Sequence, residues 1–225
     1  MTAIDLYLVR HGQTYFNLTR RLQGYSDAPL TESGIHDGHL AGKRLANVHF
    51  AGAYSSDLTR AIHTAKYLLS ENQAGSPIWP QQLPDFREEN FGSFEGIDSQ
   101  VALTQLNAFS DTFYADYSDM ITKRGMAESM NLFALADPYK LAEDYDHFIK
   151  RVKNGFEFLL KEHNDGDQVL VVAHGTTIRA IVDYFGHSEL AIKSINNGAV
   201  TKIHLTEDGG RVDIFNDSET VFNVK

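Results

Sequence analysis

Two short stretches of this sequence end alike. Asp5–Val9 runs into Arg10-His11-Gly12, and Gln168–Ala173 runs into His174-Gly175. Each is an apolar, β-branched run of strand length, closed by a histidine and a glycine. In an open α/β sheet, ligands bind just beyond the carboxyl ends of the strands. Two strand-end histidines far apart in sequence can therefore converge on one crevice. A pair of imidazoles with an arginine beside one of them suits phosphoryl chemistry, in which one ring attacks and cations hold the oxygens.

The rest of the chain reads as strands alternating with helices. Ile4–Val9 is a buried strand. Thr31 stands at an N-cap position ahead of a helical stretch carrying Ile35, Ala41 and Leu45. Ala51–Ser55 is a short strand, followed by a helix over Leu58–Glu71. Ile78–Leu83, interrupted by Pro80, reads as a weak edge strand. Leu141–His163 carries an apolar stripe and is expected to be the longest helix. Strand Gln168–Ala173 follows, then helix Thr176–Phe185, stopped at Gly186. Val200–Leu205 and Arg211–Phe215 close the chain as a hairpin around Gly209-Gly210. The fold class expected is α/β, a three-layer αβα sandwich with a mostly parallel central sheet. Residues 97–137, rich in aromatic, methionine and acidic side chains, break the alternation. They read as a helical insertion, a cap on a single domain spanning 1–225.

Composition narrows the partners. A formal charge of −10 over 225 residues argues against nucleic acid, whose phosphates the overall field would repel. A small anionic substrate stays admissible, because local arginines can focus a positive potential inside a cleft. The absence of cysteine rules out disulfides, thiolate metal sites and a cysteine-type phosphatase. Met1–Asp5 has neither a basic n-region nor an apolar h-region, and no apolar run approaches membrane-span length. A cytoplasmic location without membrane partners is the expectation, with oligomeric state left open.

Leu8-Val9-Arg10-His11-Gly12-Gln13-Thr14-Tyr15-Phe16-Asn17 is the most specific stretch. It is followed in order by Arg21-Leu22-Gln23-Gly24, Asp27-Ala28-Pro29-Leu30-Thr31-Glu32-Ser33-Gly34 and Ser55-Ser56-Asp57-Leu58-Thr59-Arg60-Ala61. Then come Arg87-Glu88-Glu89-Asn90-Phe91-Gly92, and Val171-Val172-Ala173-His174-Gly175 with Arg179 downstream. This ordered set resembles the signature of the histidine phosphatase superfamily, the phosphoglycerate mutase-like enzymes. It spans most of the chain, leaving only the insertion and terminal hairpin without a motif.

The resemblance implies that His11 is a nucleophile forming a phosphohistidine. Arg10 and Arg60 would clamp the phosphate, for which a guanidinium offers paired hydrogen bonds. His174 would donate to phosphoryl oxygens, and Glu88 would protonate the leaving oxygen. Glu89, adjacent in a loop, is expected to point elsewhere. The substrate-binding set is completed by Gly12, Thr14, Asn17, Arg21, Gln23, Gly24 and Gly175, with Gly12 letting backbone approach the phosphate. Arg60 stands in the first turn of its helix, where a cation opposes the helix dipole and a compensating anion is expected. No metal site is expected. His36 and His39 lie one turn apart without a third ligand, and read as an exposed pair. Phe109, Phe113, Tyr114 and Tyr117 read as packing groups of the insertion.

The function expected is a metal-independent phosphomonoesterase acting on a small phosphorylated metabolite, with no cofactor. The alternatives are a bisphosphoglycerate-dependent phosphoglycerate mutase and a non-catalytic phospho-ligand binding module. The sequence departs from the mutase pattern. Phe91 stands where a tyrosine is expected, no lysine occurs between Gly92 and Thr122, and Lys123-Arg124 is the only basic doublet of the insertion. A dinucleotide-binding protein is disfavoured, because no Gly-x-Gly-x-x-Gly follows the first strand.

Overall fold

The sheet is organised around β1 (Ala3–Arg10), whose alternating side chains are buried on both faces. The computed structural model describes residues 2–223. β1 pairs in parallel with β4 (Gln168–Ala173), Arg10 lying opposite Ala173. β2 (Gly52–Ser55) pairs in parallel with β4, and the two-residue β3 (Gln81–Gln82) with β2. On the other side β5 (Val200–Thr206) runs antiparallel to β1, and β6 (Gly209–Asp217) antiparallel to β5. The order is β3-β2-β4-β1-β5-β6, a mixed sheet with a parallel half and an antiparallel edge.

Helices cover both faces. Ile4, Leu6 and Leu8 of β1 join Val169 and Val171 of β4 in one core with α7 (Tyr145–Glu162) and α8 (Gly175–Tyr184). Tyr7 and Val9 join Leu170 and Val172 in a second core with α2 (Glu32–Arg44) and α3 (Thr59–Ser70). The two-residue period of a strand thus feeds both helix layers from one sequence run. This is the three-layer α/β sandwich that the pattern implies. α2 begins as expected, the Thr31 hydroxyl accepting from the Gly34 N–H at 3.1 Å. α8 ends at Gly186, whose φ of +88° is costly for other residues.

Residues 97–137 fold into α4 (Ser99–Phe109), α5 (Tyr117–Arg124) and α6 (Met126–Ala136). They share a small core of Leu103, Leu106, Tyr114, Met120, Leu132 and Phe133 that reaches Phe91 and Phe94. The expected packing role holds for Tyr114 and for Tyr117, which packs on Phe133 and also lines the site, whereas Phe109 and Phe113 are exposed. Helix α7 starts later than the apolar spacing suggests. Asp144 caps it through the His147 N–H, and Leu141 lies outside it, exposed. Two four-residue helices, α1 (Tyr15–Leu18) and α9 (Ser188–Ala191), complete the chain.

Candidate active site

Three parallel strands deliver their next residues side by side. The His11 N–H donates to the Ala173 carbonyl at 3.0 Å, and the Ser56 N–H to the Val172 carbonyl at 3.0 Å. Just past β1, β4 and β2, therefore, stand His11, His174 and Ser56. The rings of His11 and His174 lie 5.1 Å apart between centroids. The convergence follows from β1 and β4 being in-register neighbours.

His11 is nearly buried, and its Nδ1 lies 2.7 Å from the Gly12 carbonyl oxygen. A carbonyl only accepts, so Nδ1 carries the proton and Nε2 keeps its lone pair. Burial pushes the imidazole well below its ordinary value, and the charges of Arg60 and Arg10 push it further. The ring is thus neutral near pH 7. His174, fully buried, is depressed by burial first, then by Arg60 and His11. Its Nε2 meets the Ser56 hydroxyl at 2.7 Å, while Nδ1 has no partner among the described residues. Asn197 fixes the strand end from the far side, donating from its side-chain amide to the His11 carbonyl at 2.8 Å.

The arginines are held mainly by backbone carbonyls. Arg10 donates from Nη1 to the Ile195 carbonyl, and its buried Nε has no partner among the described residues. Arg60, wholly buried, donates to the carbonyls of Ser26 at 2.9 Å and Gly24 at 2.8 Å, and meets Asp27 at 3.2 Å. Its Nε too is unpartnered. Asp27 also accepts from the Thr59 N–H at the start of α3. The anion that compensates Arg60 against the helix dipole is therefore Asp27, supplied by the protein itself.

Glu88 and Glu89 are both buried, not on the surface where consecutive glutamates in a loop usually lie. Glu88 sits at the N-terminus of α8. It accepts from the N–H groups of Thr176 and Thr177, both at 2.9 Å, and from the Thr177 hydroxyl at 3.0 Å. Arg151 of α7 pins the loop behind it, donating to the carbonyls of Arg87 at 2.8 Å and Glu88 at 3.0 Å. Glu89 turns the other way, toward the Tyr117 hydroxyl 3.2 Å from its Oε2. Burial raises its carboxyl well above the usual range, reinforced by the charges of Glu88 and Glu143.

A cavity of about 190 Å³ opens on this arrangement. Of the residues singled out in the sequence, Arg10, His11, Asn17, Arg21, Gln23, Glu88 and Gly175 line it. Arg60 and His174 are buried close to His11 and have no exposed surface. Gly12, Thr14 and Gly24 do not line the cavity. A Cβ on Gly12 would lie 2.0 Å from the Gly34 carbonyl oxygen, so chain packing by itself requires glycine here. Thr14 caps α1 and donates to the Gln23 side chain at 2.5 Å, and Gly24 packs against the Glu89 carbonyl. Tyr117 and Arg179 line the cavity as well. Their signals were a tyrosine in the insertion and an arginine one turn beyond His174-Gly175. Ser56 and Arg151 carried weaker ones. Among the described residues, no group of three or more His, Cys, Asp or Glu is placed to hold a metal ion. No helix among them is long and apolar enough to cross a membrane.

Fold and site together place two buried histidines, ringed by arginines, at the carboxyl edge of a parallel sheet. The sequence model of the histidine phosphatase superfamily (branch 1) matches residues 6–218, and the chain belongs to that superfamily. A metal-independent phosphoserine phosphatase of Arabidopsis thaliana is 28% identical over 215 residues, covering 95% of this chain and 81% of its own. A 2,3-bisphosphoglycerate-dependent phosphoglycerate mutase of Cytophaga hutchinsonii is 29% identical over 178 residues, covering 79% and 75%. The crystal structure of a phosphoglycerate mutase from Bacillus anthracis superposes with a TM-score of 0.86 at 32% identity, over 96% of this chain and 94% of that one.

Proposed function

We propose that the protein is a phosphomonoesterase that works through a phosphohistidine at His11, without a metal ion, on a small phosphorylated metabolite. One observation carries the reading. Arg10 Nε, Arg60 Nε and His174 Nδ1 are buried nitrogens with no partner among the described residues, and all belong to residues gathered around His11. Buried polar groups are normally paired. Three unpaired ones around a neutral imidazole suit the oxygens of a bound phosphoryl group.

The steps follow from the geometry. His11 Nε2 attacks phosphorus in line, forming the P–N bond as the P–O bond to the leaving group breaks. Arg10, Arg60 and His174 donate to the equatorial oxygens, the work a divalent cation does elsewhere. Glu88, the carboxyl group on the cavity wall, gives its proton to the departing alkoxide. Water then attacks the phosphohistidine while Glu88 takes back a proton, freeing inorganic phosphate and Nε2. The cavity is smaller than the about 300–1,000 Å³ typical of pockets for drug-sized ligands, which favours a small metabolite.

The mutase reading draws support from the relatives that carry that name. Against it, the basic doublet of the 97–137 segment points away from the cavity. Lys123 binds Asp119 and the Phe113 carbonyl, and Arg124 binds Tyr114 and Ser110. A panel of phosphomonoesters assayed with chelator, including 3-phosphoglycerate with and without a bisphosphoglycerate primer, separates the readings. Phosphate release in chelator is expected. Primer-dependent isomerisation without release overturns the proposal, and so does activity that requires an added divalent ion.

A further inference from the structure

Glu88 stands in a stretch without regular structure, since residues 87–91 belong to no helix or strand. A backbone outside helix and sheet needs other partners to hold its shape. The Glu88 carboxylate is tied to α8, but its main chain is tied to Arg151 of α7. A guanidinium carries five N–H donors in a rigid fork. In Arg151 every one of them meets an acceptor. Nη1 donates to the carbonyls of Asp85 at 2.9 Å and Arg87 at 2.8 Å, and Nη2 to that of Glu88 at 3.0 Å. Nε and Nη2 also donate, each at 2.8 Å, to the two oxygens of the Glu143 carboxylate. Glu143 reaches the same loop further on, its N–H donating to the Asn90 carbonyl at 2.8 Å. The Phe148 ring, one turn earlier on α7 and fully buried, has its centroid 4.4 Å from the guanidinium carbon and backs the fork. Neither Arg151 nor Glu143 lines the catalytic cavity.

We infer that Arg151, set by Glu143, is the positioning residue of the general-acid step. It fixes the backbone of Glu88 against α7 while α8 fixes the carboxylate, so the proton donor is held from both ends. The inference rests on the phosphomonoesterase reading, which makes Glu88 the acid. A reacting group displaced by about 1 Å can lose about 10²-fold in rate, so a brace remote from the substrate can govern this step. Holding the phosphoryl group falls to Arg10, Arg60 and His174 instead. Loss of the brace should therefore slow proton donation and spare phosphate binding.

Arg151→Met tests this on propyl phosphate and 4-nitrophenyl phosphate, alone and combined with Glu88→Gln. Its kcat is expected to fall about 10–10²-fold on the propyl ester and less than about threefold on the nitrophenyl ester, whose leaving group needs no proton. Inhibition by inorganic phosphate is expected to stay within about twofold of the wild type. Added to Glu88→Gln, Arg151→Met is expected to cost less than about threefold more, because a brace has nothing to position once the acid is gone. Where Glu88→Gln itself distinguishes the esters, equal losses on both in Arg151→Met overturn the inference, as do losses that multiply in the double variant. A second measurement needs no turnover. The Thr176 and Thr177 N–H groups donate to Glu88, so their amide proton resonances report where the carboxylate lies. Both are expected to move upfield in folded Arg151→Met, and unchanged positions overturn the inference, since lowered stability alone leaves native resonances in place. Should no ester be hydrolysed, or Glu88→Gln treat both alike, the reading of Glu88 as the acid fails and these resonances alone decide whether Arg151 positions it. Should Arg151→Met fail to fold, Glu143→Gln takes its place. It breaks the bidentate pair but leaves the three carbonyl bonds, and is expected to change the ratio of the two esters by about threefold in the same direction. An unchanged ratio together with unchanged amide resonances overturns the inference.

Discussion

Glu89→Gln should make the protein progressively more stable than the wild type as the pH rises. The Glu89 carboxyl has no exposed surface, and its Oε1 has no partner among the described residues. Burial first, then the charges of Glu88 and Glu143, raise it well above its ordinary 4.5. A raised carboxyl contributes stability that is fully present below the unfolded value and lost as pH climbs toward the folded one. Above about pH 4.5 the unfolded chain gains by ionising while the folded chain still holds the proton. Wild-type stability therefore drops by up to about 1.4 kcal/mol per pH unit over that window. Glutamine does not titrate, so the variant escapes the loss. The buried amide adds a fixed penalty of about 1–3 kcal/mol, because its N–H₂ meets no acceptor. That offset is independent of pH, and the slope carries the test. Urea unfolding of both proteins at pH 5, 6, 7 and 8 should give a difference growing by up to about 1.4 kcal/mol per unit. In thermal melts the gap should widen by about 3–6 °C per unit. Parallel stability curves from pH 5 upward would mean that Glu89 ionises freely in the fold, and the burial argument would fail.

Glu88→Gln should slow alkyl phosphates by about 10²–10⁴-fold and nitrophenyl phosphate far less, since a good leaving group needs no proton. The swap also sets an amide N–H₂ against the Thr176 or Thr177 N–H, so unfolding should show a loss of about 1–3 kcal/mol; equal rate losses on both substrates would make Glu88 a structural anchor of α8. Asp27→Asn, which weakens the partner of buried Arg60 and the cap of α3, should cost about 1–3 kcal/mol in denaturant melts and weaken phosphate inhibition. The His11 and His174 ring resonances should show no titration between pH 6 and 8, and a midpoint near 6.5 for either would contradict their burial.

Most of the fold was legible because its signals are local. Thr31 caps α2 as a threonine before a helical stripe should, and the strand-end histidines were visible as punctuation of two apolar runs. Signals failed where contacts are distant. Leu141 fits the apolar spacing of α7, but Asp137 binds the Leu141 and Ala142 N–H groups and holds this stretch outside the helix. The divergence of Glu88 and Glu89 was expected, but not the burial of both, which comes from α8 closing on Glu88 and Tyr117 on Glu89. The partner of Arg60 lies 33 residues away, in a loop whose sequence gives no hint of pairing. Gly12 was legible as a necessary glycine, but the packing reason, the facing backbone of Gly34, was not.

How the cations are held matters as much as where they are. Had Arg10 and Arg179 been fixed by carboxylates, each pair would have been neutral, and the site would have had little field for a phosphate. Instead Arg10 leans on the Ile195 carbonyl and Arg179 on those of Ala191 and Ile192, all in the 191–195 stretch ahead of β5. Carbonyl dipoles orient a guanidinium without cancelling its charge. Of these three arginines, Arg60 alone has a carboxylate partner among the described residues, and Asp27 divides its charge between that arginine and the start of α3. Burial first, and then the charges of Arg60 and Arg10 among others, depress both histidines. Under the function proposed above, the arginines that would hold the phosphate also help to keep His11 unprotonated, so binding and nucleophilicity would share one electrostatic cause.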